Sequence, residues 1–280
     1  MDEFLLEKLK HIELDIFKKF IEICEKYNFK YFLLGGTALG AVRHKGFIPW
    51  DDDIDVGMPR QDYEKFLIVA QSELPEHLFL QTHITDINYP LNFAKIRNSN
   101  TTFIETSVHN IKMNHGIYID IFPLDGYPKS KLISKVRYLI DTIVSKSIKT
   151  IFFHEKKSKK TVLGHVNDVI ASIFFKDYRK AVIAKEKLLK KYSYEDSEIV
   201  ANYGGAWGMK EVMPKSYFGN GTIVEFEGLK VTLAEDYDKY LKSVYGDYMT
   251  PPPPEKRVGH HFCTVIDTDK SYLYYIDKGE

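Results

Sequence analysis

Trp50-Asp51-Asp52-Asp53-Ile54-Asp55-Val56 follows the pair Gly35-Gly36 within one short helix and one turn, and the two together decide the reading of this chain. Four carboxylates in five residues repel one another at neutral pH, so a neighbouring positive charge has to offset them. Side chains alternate along a strand, which puts Asp53 and Asp55 on one face, with Asp51 able to join from just ahead of it. Clustered oxygen ligands suit a hard cation, magnesium (Mg²⁺) or manganese (Mn²⁺), of the kind that serves phosphate chemistry. A solvated acidic loop is the alternative. The apolar residues Phe47, Ile48, Trp50, Ile54 and Val56 around the run argue against it.

Residues 30–34 are short, apolar and end at the glycine pair, which predicts a buried strand; residues 37–44 predict a short helix and residues 53–57 the next strand. Without Cβ atoms, Gly35 and Gly36 let the backbone approach a ligand, and the helix start at Thr37 offers N–H groups to a phosphate. Before this unit, residues 3–27 carry apolar side chains at helical spacing; after it, Pro59 opens a helix over 59–74. Strands are expected at 79–82, 92–97, 102–105 and 116–122. The last alternates cleanly and presents Asp120, a third carboxylate to set beside Asp53 and Asp55. Lys95 and Arg97 share a strand face, either to stabilise a departing phosphate or as counter-ions. Arg43 brings forked donors suited to donor phosphate. Arg257 and His260 follow the proline run as further substrate-binding candidates, with ordinary packing expected for at least one of His260 and His261. Asp52 and Asp125 are expected to cap turns. Trp50 and Trp207 suit either stacking on a ligand or the core.

The chain has 280 residues and no net charge, yet residues 129–191 carry 17 Lys and Arg against 5 Asp and Glu. Helices are expected there at 132–153, 161–175 and 178–192, then a hairpin at 221–227 and 229–233, a helix at 236–245 and a polyproline stretch at 251–254. This gives an α+β architecture in three parts: a mixed-sheet core over 1–128, a basic helical insertion over 129–195 and a C-terminal segment over 196–280 that completes the site. The basic insertion fits three roles: an interfacial helix on anionic lipid, a channel for a polyanionic acceptor, or an ordinary core helix with a solvated lysine face. The cysteines, Cys24 and Cys263, lack metal-ligand spacing and fit a reducing cytoplasm. No leader peptide or membrane-spanning run is expected, and no nucleic-acid partner.

Leu34-Gly35-Gly36-Thr37-Ala38-Leu39-Gly40-Ala41-Val42-Arg43-His44-Lys45-Gly46-Phe47-Ile48-Pro49-Trp50-Asp51-Asp52-Asp53-Ile54-Asp55-Val56-Gly57-Met58 resembles the signature of the LicD family, phosphocholine transferases whose relatives include the fukutin and fukutin-related proteins. Ile119-Asp120-Ile121-Phe122-Pro123-Leu124-Asp125-Gly126 is similar to its second motif, and Phe226-Glu227-Gly228, Tyr245-Gly246-Asp247-Tyr248 and residues 252–261 to its C-terminal region. The resemblance leaves out about residues 129–195. It implies a nucleotidyltransferase-like mixed sheet flanked by helices, with Gly35-Gly36 on phosphate and Asp53, Asp55 and Asp120 on metal. It also implies transfer of a phospho-alcohol, phosphocholine first, from CDP-choline or another CDP-alcohol to a glycan or teichoic-acid hydroxyl, free or lipid-linked, releasing CMP. The cysteine-bound zinc of the fukutin-related branch has no ligands here. Two other readings stay open: nucleotidyl transfer from an NTP, and a glycan- or membrane-binding protein on a catalytically dead scaffold.

Overall fold

The computed structural model describes residues 1–152, 177–259 and 261–276; the helix expected at 161–175 and His260 lie outside these. The first helix, α1 (Glu3–Tyr27), starts where Asp2 accepts the Leu5 N–H at 2.8 Å and stops where Asn28 turns left-handed. Its buried stripe, Leu9, Ile16, Phe17, Phe20 and Cys24, packs against the sheet. Then come β1 (Phe32–Leu33), α2 (Gly35–His44), β2 (Asp55–Pro59), α3 (Arg60–Glu73), β3 (Leu78–Gln81), β4 (Ala94–Asn98), β5 (Thr102–Glu105) and β6 (Ile117–Tyr127). The chain continues through α4 (Lys131–Phe152), α5 (Tyr178–Leu189), β7 (Ile199–Asn202), β8 (Val212–Pro214), the hairpin β9 (Thr222–Phe226) and β10 (Leu229–Leu233), α6 (Tyr237–Tyr245) and β11 (Cys263–Asp267).

The main sheet runs β1-β2-β6-β4-β3, with β7 also on β6 and β8 on β7. Among the described residues only the β2–β6 pairing is parallel, so this is an α+β fold on a mixed sheet. Buried along its whole length, β6 is the central strand. It runs past the expected end at residue 122, through Pro123 and Gly126, because β2 flanks Pro123 and β7 flanks Gly126. Conversely, β2 begins at Asp55, not at residue 53, so Asp53 sits in the loop that leads into it.

Asp125 does not cap a turn. It lies inside β6 and is gripped by Arg60, the first residue of α3, through two hydrogen bonds of 2.7 Å. In the insertion, Val144 and Ile148 of α4 pack on Ala181 and Val182 of α5. Arg137 is buried against the Tyr192 and Tyr203 rings, while Leu132, Val136, Leu139 and Ile140 are exposed. No helix among the described residues is long and apolar enough to cross a membrane.

Candidate active site

The strand register assembles the site. Asp55 on β2 stands opposite Asp120 on β6, and Asp120 stands opposite Lys95 on β4. Residues in register on neighbouring strands share a face, so the three side chains form one row. Lys95 Nζ lies 2.7 Å from Asp120 Oδ1 and 3.3 Å from the centre of the Tyr118 ring. Asp51, Asp53, Asp55 and Asp120 all line one cavity of about 760 Å³. Oxygens of Asp51, Asp52 and Asp53 come within 4.8 Å of one another, close enough to share a cation.

The glycine pair makes room for these carboxylates. A Cβ at Gly36 would lie 2.5 Å from Asp51 Oδ2, and one at Gly35, whose φ is +50°, would lie 3.0 Å from Asp55 Oδ2. The cradle is smaller than the sequence suggested. The Gly35 N–H donates to Tyr240 Oη at 2.8 Å, which leaves the Gly36 and Thr37 N–H groups at the uncapped start of α2. The Thr37 side chain faces away from the cavity and accepts the Asp55 N–H at 2.8 Å, tying α2 to β2.

Negative charge exceeds positive throughout the site. Burial, followed by the neighbouring carboxylates, pushes Asp51 and Asp55 well above the usual carboxylate range. Burial lifts Asp53 to about 6, although His261 pulls the other way. His261 Nδ1 lies 3.2 Å from Asp52 Oδ1 and its Nε2 4.0 Å from Asp53 Oδ2. Burial alone would lower this imidazole, but the Asp52 hydrogen bond and the Asp53 charge raise it to about 9. Behind the run, fully buried Glu13 is driven well above its ordinary range by burial and then by Asp53, Asp52 and Asp51. An all-oxygen donor set with this excess of charge fits a hard divalent cation.

Other candidates fall in different places. Arg43 reaches the cavity wall, held by the Tyr248 carbonyl at 3.1 Å. Arg257 stays outside, stacked on Trp50 at 5.4 Å, and so contacts the wall from behind. Lys95 is a counter-ion of Asp120. Arg97 is not at the site: 1% exposed, it donates to Gln81 Oε1 at 2.5 Å and to the Gly116 carbonyl at 2.7 Å. Asp52 is buried and holds the C-terminal segment through His261 instead of capping a turn. The sequence reading weighed His260 and His261 together and put forward His260, which is outside the described residues, whereas His261 is the one that meets Asp52 and Asp53; Glu13 and Glu211 were passed over. Glu13 had left a sign, since a carboxylate at position 13 interrupts the apolar stripe of α1.

A mixed sheet that offers carboxylates from two parallel neighbours, beside a glycine-led helix, is suited to holding a phosphate together with a hard cation. Consistent with this, the family described as LicD/FKTN/FKRP, nucleotidyltransferase domain, matches residues 28–155. The chain is 33% identical over 272 residues to the lipopolysaccharide cholinephosphotransferase LicD of Haemophilus influenzae, an alignment covering 93% of this chain and 97% of that one. An uncharacterized protein of Rickettsia prowazekii is 33% identical over 109 residues, which is 39% of this chain and 37% of its own. The chain belongs to the LicD family.

Proposed function

We propose that this chain transfers a phospho-alcohol, phosphocholine first, from a CDP-linked donor to a hydroxyl of a glycan or teichoic-acid precursor. The observation that carries the reading is the in-register pair of Asp55 and Asp120 opening on a cavity shared with Asp51 and Asp53, with Lys95 behind it as the partner of Asp120. The likeness to a cholinephosphotransferase along nearly the whole chain supports the choice of alcohol. Asp51, Asp53, Asp55 and Asp120 would hold Mg²⁺ or Mn²⁺, which when bound neutralises diphosphate charge and fixes its orientation. The N–H groups of Gly36 and Thr37 take phosphate oxygens at the start of α2, and Arg43 adds a cation on the wall. The acceptor oxygen attacks the phosphorus bearing the alcohol, the bond from that phosphorus to the CMP phosphate oxygen breaks, and CMP departs. Where the cation leaves an oxygen of Asp120 free, the hydroxyl proton passes to that carboxylate, which Lys95 keeps in place.

Incubation with CDP-choline and an acceptor glycan is expected to release CMP, to require Mg²⁺ or Mn²⁺ and to stop on chelation. Release of pyrophosphate from CTP, with CDP-choline left intact, would replace this reading by nucleotidyl transfer. We place the reaction in the cytoplasm, at the inner face of a membrane. The free cysteines Cys24 and Cys263 support a reducing compartment. Exposed Leu132, Val136 and Leu139, set among Lys131 and Lys135, support docking on anionic lipid. Vesicles containing phosphatidylglycerol should therefore bind the chain at low salt and release it at high salt; binding to neutral vesicles of equal strength would remove the charge argument.

A further inference from the structure

The cavity wall changes character away from the aspartates. Trp207 and Tyr245 meet there with ring centroids 4.9 Å apart and planes at 74°, forming an aromatic corner. Lys210, which does not line the cavity, stacks on the same indole at 5.2 Å from outside it. Glu211 lies on the wall beside them, 5% exposed. Its oxygens accept the Trp207 backbone N–H at 2.9 Å and the Asn202 side-chain amide at 2.7 Å. Gly205 allows that carboxylate to lie flat against the backbone, since a Cβ at this position would collide with it.

Both bonds to Glu211 come from neutral donors. Among the described residues no Lys, Arg or His side chain pairs with it, and burial lifts it to about 7. A desolvated carboxylate facing a cavity beside two aromatic rings is short of one thing, a cation that needs no hydrogen bond. Tyr245 links this corner to the phosphate end: a Cβ on Gly35 would lie 3.8 Å from Tyr245 Oη and 3.0 Å from Asp55 Oδ2. One tyrosine therefore has its hydroxyl near the aspartates and its ring against Trp207.

We propose that Trp207, Tyr245 and Glu211 form the subsite for a quaternary ammonium group, and so select a choline-type head over a primary amine or an uncharged polyol. This inference rests on the reading of the cavity as a CDP-alcohol site. A trimethylammonium group has no N–H to donate, so aromatic faces and a nearby carboxylate supply its recognition. A primary ammonium has three donors to satisfy, and the corner offers it aromatic faces and only the one acceptor site left on each Glu211 oxygen, so its desolvation is not fully repaid. A polyol gains nothing from the carboxylate charge.

The test is calorimetric titration of the full chain, with Mg²⁺ present, by phosphocholine, phosphoethanolamine and CMP. Phosphocholine is expected to bind about tenfold more tightly than phosphoethanolamine, a 1.4 kcal/mol preference. Trp207→Leu and Glu211→Gln should each bring that ratio close to one and leave CMP affinity as it was, which also reports an intact fold. A wild-type ratio near one, or a ratio unchanged in both variants, overturns the subsite. Loss of CMP affinity with the ratio preserved overturns it too, and assigns the corner to the nucleoside. If the wild type releases CMP from no CDP-alcohol, the proposed function falls, and the binding ratio still decides the subsite.

Discussion

Replacing Asp55 with Asn is expected to lower the rate of transfer by about a thousandfold or more and, in the metal-free protein, to raise the melting temperature. The two effects share one cause. Asp55 stands in register with Asp120, and its oxygen lies against the Gly35 backbone. Desolvation, then the charges of Asp53, Asp120 and Asp51, hold its carboxyl well above the usual range. A pKa raised on folding means that the folded chain keeps a proton the unfolded chain has released. The associated stability is fully present below the unfolded pKa and is lost as pH rises through the folded one. For Asp53 that window runs from 3.8 to about 6, and for Asp55 it likewise starts at 3.8 and extends well above. Asn imitates the protonated carboxyl at every pH, whereas the wild type loses stability as pH rises through this window because the unfolded chain releases the proton more readily. The gain in melting temperature from Asp55→Asn should therefore be larger at pH 7 than at pH 5. Comparing variant with wild type cancels the contributions of titrating groups that do not interact with Asp55, and relief of the neighbouring carboxylates adds to the gain at pH 7. A cation at a hundred times its dissociation constant would add about 2.7 kcal/mol to the wild type and less to the variant. Scanning calorimetry with and without Mg²⁺, together with CMP release, reads all of this. Full turnover of the variant at saturating metal would remove Asp55 from the site.

Local periodicity carried the sequence reading of the site as far as periodicity reaches. Alternation put Asp53 and Asp55 together, and the clean alternation of residues 116–122 marked Asp120 as a partner; all three line one cavity, but Asp53 reaches it from the loop ahead of β2 and not by strand alternation. Periodicity assigns a face, yet it does not say what covers that face further along. Lys95 and Arg97 do share a face and both stack on Tyr118, at 3.3 and 4.5 Å, but Gln81 and Gly116 close over Arg97 before the cavity begins. Long-range pairing was the other gap. His261 reaches Asp52 because β11 pairs with β5, which joins segments far apart in sequence. Neither the alternation of residues 102–105 nor the pattern of the tail announced that partnership. Glu211 follows the loop at 204–208, where Asn202 and the Trp207 N–H capture it through backbone geometry that composition does not encode. The strand expected at 116–122 in fact continues through Pro123 and Gly126 to Tyr127, because tertiary pairing with β2 and β7 on its two sides carries it on.

Arg60→Met is expected to destabilise the fold by about 3–5 kcal/mol at pH 7, whereas Arg60→Met combined with Asp125→Leu should come within about 1 kcal/mol of wild type. Asp125 is 0% exposed, and the Arg60 fork supplies both of its hydrogen bonds to that guanidinium at 2.7 Å. Removing the arginine strands a carboxylate in the interior, and that group then takes up a proton on folding. Burial already holds this carboxyl above its ordinary value although Arg60 pulls it down, and without the arginine it rises further, so the stability it contributes is lost as pH rises and the damage from Arg60→Met should be smaller at pH 5 than at pH 7. Asp125→Leu strands the guanidinium instead, which does not deprotonate. That side chain is 10% exposed and keeps Glu64 at 3.1 Å, so it has a route toward solvent, and its loss should be smaller and flat over the same pH range. Taken together, the two substitutions remove both charges and leave apolar side chains of similar reach, so neither desolvation penalty remains. The single losses are thus expected not to add. Urea denaturation of the four proteins at pH 5 and pH 7 measures every term. A double variant as unstable as the sum of the single variants would mean that the fork contributes shape and hydrogen bonding, not relief of buried charge. The pair lies further along the strand that carries Asp120, outside the cavity, so the double variant should also keep its transfer activity. A stable double variant that had lost turnover would show that the pair sets the position of β6, and through it the catalytic row.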